Sequence, residues 1–109
     1  MLYNDPMKIN VHMSAYGLKS DIRVVDVPDV EITPKTTIQE ALELAFKYGQ
    51  NDFQPLKHPS VSVGDVVELK GKYYMVMSAG YEELTEGQFK NVPDQVAMKP
   101  KYLRKLMGV

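Results

Sequence analysis

Apolar and polar residues alternate near the start of the chain. Ile9, Val11 and Met13 are interleaved with Lys8, Asn10 and His12. A two-residue period puts the apolar set on one face, which predicts a strand. Ala15-Tyr16-Gly17 interrupts the pattern. Ile22, Val24, Val25 and Val27 form a β-branched run that suits a second strand stopped by Pro28. Val30-Glu31-Ile32 either extends that strand or forms a short edge strand before Pro34.

The period then changes. Ile38, Ala41, Leu42, Ala45 and Phe46 fall on one face of a helix. Thr36 and Thr37 lie three residues before Gln39 and Glu40, giving two overlapping capping boxes. The spacing predicts a helix over 38–48, with Gly49 as a left-handed C-terminal cap. Residues 50–60 read as a loop. Val61, Val63 and Val67 read as a strand interrupted by Gly64-Asp65, and Tyr73 to Met77 as its return, joined through Gly71. Gly80 is expected to end the return strand, and 82–94 has no clear pattern. Pro100 can open a last short helix, with Tyr102, Leu103, Leu106 and Met107 on one face.

Composition narrows the class. The 109 residues fit one domain, 1–109, and the 44% apolar and 25% charged content is that of an ordinary globular chain. No cysteine is present, which removes thiol chemistry and cysteine-held zinc. No apolar run approaches the roughly 20 residues of a membrane span, and the N-terminus has no signal-peptide pattern. A cytoplasmic protein with no membrane partner is the expectation. Net charge is −1 but uneven: Lys99, Lys101, Arg104 and Lys105 lie in a basic segment, 96–109, without acids. Between residues 21 and 31, Asp21, Asp26, Asp29 and Glu31 face Arg23 alone.

The run His58-Pro59-Ser60-Val61-Ser62-Val63-Gly64-Asp65-Val66-Val67-Glu68-Leu69 is followed by Gly71-Lys72-Tyr73-Tyr74-Met75-Val76 and Gly80-Tyr81-Glu82-Glu83-Leu84. This resembles the YodL-like domain of bacteria, phages and mobile elements, with a core at about 36–84. Met77-Ser78-Ala79 departs from the Asp-Ser-Phe-like approach to the glycine in that family. The resemblance implies a bacterial or phage accessory protein and brings no catalytic mechanism with it. Its phage and mobile-element setting makes a host or defence protein the expected partner.

The motifs have structural readings beside functional ones. Ser60, Ser62 and Asp65 could form a polar ledge for a small molecule or nucleotide signal, but Gly64-Asp65 more often makes a turn in which Asp bonds backbone N–H groups. Ser60 as a nucleophile would need His58 as its base, and the chain has no nucleophile elbow. His12 and His58 lack metal-ligand spacing, so a surface or edge role is expected and no metal or cofactor. Tyr73 and Tyr74 point to opposite faces of a strand and cannot share one stacking platform. The segment Lys99, Lys101, Arg104, Lys105 could meet nucleic acid or be the solvated face of a helix.

The expected fold is α+β: a small, curved, mainly antiparallel sheet, one main helix packed on it and a short C-terminal helix. Ile9, Val11, Val24, Ile38, Leu42, Ala45, Phe46, Val63, Val67, Tyr74 and Val76 are the expected core. The expected function is non-enzymatic binding of a host or defence protein, with inhibition as one outcome, through Tyr16, Lys19, Gly80, Tyr81, Glu82 and Glu83. Nucleic-acid binding and small-molecule binding are the alternatives, and an exposed strand edge would allow a homodimer.

Overall fold

Two strands form where the alternating and β-branched runs lie: β1, Met7–His12, and β2, Ile22–Val27. They pair antiparallel, with Ile9 opposite Val25 and Val11 opposite Arg23. The computed structural model describes residues 7–28, 33, 35–50 and 60–106. The expected strand 30–32 and His58 lie outside them. The other strands are β3, Val66–Leu69, β4, Lys72–Met77, and β5, Gly80–Leu84. The sheet is open and antiparallel throughout, in the order β2-β1-β3-β4-β5. Lys70 and Gly71 link β3 to β4 with φ of 52° and 77°. Two left-handed residues in a row match the twist of a two-residue hairpin.

Helix α1, Ile38–Tyr48, spans the predicted residues. Its capping box is complete: Glu40 N–H donates to Thr37 Oγ1 at 3.1 Å, and Thr37 N–H donates to Glu40 Oε1 at 2.9 Å. At its other end Gly49 departs from expectation. It is right-handed, with φ −78° and ψ −2°. Glycine is needed there for closeness, because a Cβ would overlap Val61 Cγ2.

The sheet is covered on its first face by α1 and on its second only away from β2. On the first, α1 packs over Ile9, Val11, Val25, Val27, Val67, Tyr74 and Val76. On the second, Val66, Met75 and Leu84 meet Val92 and Val96. The elements on that side are α2, Glu86–Lys90, a 3-10 turn at Val96–Met98, and α3, Pro100–Leu106. Tyr102, Leu103 and Leu106 pack there, as the spacing predicts.

Three expected core residues are exposed: Val24, Ile38 and Val63, while Phe46 is only partly buried. In β2 both parities are apolar, so the pattern does not choose a face. The pairing of Val11 with Arg23 puts Arg23, Val25 and Val27 inward and Ile22 and Val24 outward. Val63 is not in a strand. It precedes Gly64 at φ 102°, and β3 begins only after the bend. Ile38 sits in the first, solvated turn of α1. Gly80 opens β5 instead of ending β4.

Candidate functional site

The connection between β1 and β2 is held by its own backbone and by the two bends that follow in sequence. Met13 N–H donates to the Asp21 carbonyl at 2.8 Å, closing the hairpin. Ser14 and Ala15 are buried. The Ser14 hydroxyl donates to the Gly64 carbonyl at 2.7 Å, and Ala15 N–H donates to Asp65 Oδ1 at 2.8 Å. From the far side, Val96 and Ala97 N–H groups donate to the carbonyls of Ser14 and Ala15 at 2.7 and 2.8 Å. With its neighbours pinned, Tyr16 is turned outward and is 69% exposed.

Beside this connection lies a cleft of about 520 Å³. Met13, Tyr16 and Gly17 form one wall, and Asp21, Ile22, Arg23 and Val24 another. Ser60 and Asp65 complete the lining. Ile22 and Val24 are 53% and 46% exposed, so the cleft opens onto an apolar rim.

Two polar groups in the lining, Asp65 and Arg23, are structural. Asp65 is 1% exposed, and its second oxygen accepts from Ser62 N–H at 2.8 Å. Burial pushes its carboxyl above the ordinary carboxylate range, while the Ala15 and Ser62 N–H bonds and the Arg23 charge pull it back. Arg23 Nη1 donates to the Gly49 carbonyl at 2.8 Å. Desolvation lowers the Arg23 pKa, and the Asp65 charge opposes this. The turn reading of Gly64-Asp65 therefore holds, with one bond local and the other reaching back to Ala15. Ser60 and Asp65 do line one cleft, while the Ser62 hydroxyl is turned to the Ser60 carbonyl at 3.1 Å. Among the described residues, no group of three acidic or histidine side chains is placed to hold a metal ion.

His12 is the residue that sequence reasoning missed. It was expected at a surface or edge, and it is buried. Its Nε2 lies 3.0 Å from Glu68 Oε1 and its Nδ1 3.3 Å from the Lys19 carbonyl. Its ring also stands edge-to-face with those of Tyr73 and Phe89. The alternation puts His12 on the second face. What covers that face there is α2, in the stretch without a clear pattern.

The expected protein contacts divide. Tyr16 is available. Lys19 is an anchor: its Nζ donates to the carbonyls of Phe89 and Lys90 at 3.0 and 2.8 Å, and its N–H donates to Asp94 Oδ1 at 2.8 Å. Tyr81 is half-buried, with its hydroxyl donating to the Leu42 carbonyl at 3.3 Å, and burial raises its pKa with help from Glu43. Gly80, Glu82 and Glu83 are exposed along β5, away from Tyr16 at the opposite edge of the sheet.

The basic residues of α3 are not joined by a stacking platform. Tyr73 lies flat on Phe89, ring centroids 3.9 Å apart, and Tyr74 is buried in the first core. Lys99 Nζ donates to the Asp94 carbonyl at 2.7 Å, while Lys101, Arg104 and Lys105 occupy the solvated side of α3. Among the described residues, no helix is long and apolar enough to cross a membrane.

No protein-family model matches the chain, and no solved structure does. Among curated proteins, it is 30% identical over 88 residues to "Uncharacterized protein R785" of Acanthamoeba polyphaga mimivirus. The match covers 69% of this chain and 79% of that relative.

Proposed function

This chain belongs to the same family as the mimivirus protein, and from that premise we propose that it is a non-enzymatic accessory protein of viral or mobile-element type. It binds a protein of the host or its defences, with inhibition as one outcome of that binding. The viral relative and the likeness of 58–84 to the YodL-like domain both support that setting.

The observation that carries the reading is the apolar rim of Tyr16, Ile22 and Val24 around the cleft. Large exposed apolar side chains gathered at one place are characteristic of contact surfaces. Beneath them, Asp65 and Arg23 already bond backbone groups, so the buried floor of the cleft offers shape, and the exposed lining offers apolar surface beside Asp21.

A photo-crosslinking residue placed at Tyr16, and separately at Glu83, tests the reading in infected or transfected host cells. The Tyr16 position should yield one discrete adduct that Val24→Glu abolishes, and the Glu83 position none. Equal adducts from both positions, or none from Tyr16, would overturn it.

A further inference from the structure

The cleft is lined by three consecutive residues of β2: Ile22, Arg23 and Val24. Side chains of consecutive strand residues leave on opposite faces. A cavity touching all three therefore runs alongside the backbone edge of the strand. The ladder shows which groups that edge presents. Met13 N–H bonds the Asp21 carbonyl in the β1–β2 register, so Asp21, Arg23 and Val25 exchange bonds with β1. The N–H and C=O groups of Ile22, Val24 and Asp26 then point the other way. Among the described residues, no strand pairs with that side of β2.

Resting on the binding role proposed above, we infer that β2 takes up an extended, basic segment of the partner as an added antiparallel or parallel strand. Backbone groups from Ile22 to Asp26 span about 13 Å at ~3.3 Å per residue, enough for a segment of about five residues. Alternate side chains of that segment lie beside Ile22 and Val24, so apolar residues suit those positions. The others enter the cleft. Its exposed charge is Asp21, which forms no ion pair among the described residues. Asp26 lies farther along the same edge and is bridged by Lys8 at 2.7 Å. A lysine or arginine flanking the apolar positions answers this charge. Main-chain bonds supply affinity in this mode and alternate side chains supply selectivity.

The test uses the full chain and blocked peptides that alternate valine and threonine between flanking lysines, with glutamate-flanked peptides as controls. The lysine-flanked peptide should bind at least tenfold more tightly and slow hydrogen exchange at the amides of Ile22 and Val24. N-methylation of one alternate set of peptide amides should abolish binding, and of the other set leave it. Asp21→Lys should reverse the preference. Peptide binding without protection of those amides, equal loss from both N-methylated sets, or protection caused by a second copy of the chain in light scattering would each overturn strand addition. The partner crosslinked through Tyr16 separates the two levels. If it is captured and the Ile22 and Val24 amides exchange as in the free chain, the binding role stands and the added strand falls. If there is neither an adduct nor peptide binding, both fall.

Discussion

The sheet ends on β5 with Glu82 and Glu83 exposed, and on β2 with Ile22 and Val24 exposed. Charged side chains on an edge deter another strand from pairing there. On β5 the pattern meets that need, and Lys72 lies 3.8 Å from Glu83 without covering it. An inward-pointing charge can also blunt an edge. β2 has one in Arg23, but its guanidinium is turned to the Gly49 carbonyl, beside Asp65. The charge that could have guarded β2 has been drawn into the fold. Two edges of one sheet thus differ in where their charge sits: on exposed mid-strand carboxylates on β5, and on β2 in a buried Arg23 with Asp21 and Asp26 flanking an apolar middle.

The largest way to break this contrast is to remove the interior charge partner. Asp65→Ala strips two N–H groups of their acceptor and leaves Arg23 without its counter-charge, so it should cost about 3–5 kcal/mol in urea denaturation. Glu83→Ala on the other edge should change stability by less than about 0.5 kcal/mol. Next comes Gly49→Ala, which forces Val61 and the Arg23 acceptor to move and should cost about 1–3 kcal/mol. A smaller effect sharpens the role of ionisation. Because burial raises the folded pKa of Asp65, the folded state holds its proton to higher pH than the unfolded chain. The stability it contributes is full below the ordinary carboxylate value and declines as pH rises through the raised one. The urea-midpoint difference between the protein and Asp65→Asn should shrink across that interval. Smallest in stability is the exchange of edge character. Val24→Lys should shift stability by no more than about 0.5 kcal/mol while removing the Tyr16 crosslink. Glu82→Val with Glu83→Val should make the chain self-associate in light scattering.

Signals confined to a few neighbouring residues were legible. The Thr37–Glu40 capping box and the apolar stripe behind it place α1 at its observed bounds, and Pro28 stops β2. Another such signal went unread: Thr85 and Gln88 form a complete capping box at the start of α2. Gly87, inside that helix, disguised it. What could not be read locally was decided by partners distant in sequence. Val24 faces out because Arg23 finds the Gly49 carbonyl, and His12 is buried because Phe89 lies over it. The site divides the same way. Asp65 as a turn pin follows from nearby residues, whereas Tyr16 is turned outward by the distant groups that pin Ser14 and Ala15. The cleft that joins them exists only once β2 is placed beside the 60–65 bend.

The strand order has a consequence for how the protein is made. β1 lies between β2 and β3, so the β1–β2 hairpin leaves the ribosome before the strand that flanks its inner side, which is synthesised after α1. Val11 must wait for Val67, and Ser14 for Gly64 and then Val96. Such distant closures slow folding and leave early strands unpaired during synthesis. The nascent chain therefore carries two open β edges on this hairpin, and only the arrival of β3 closes the one beside β1.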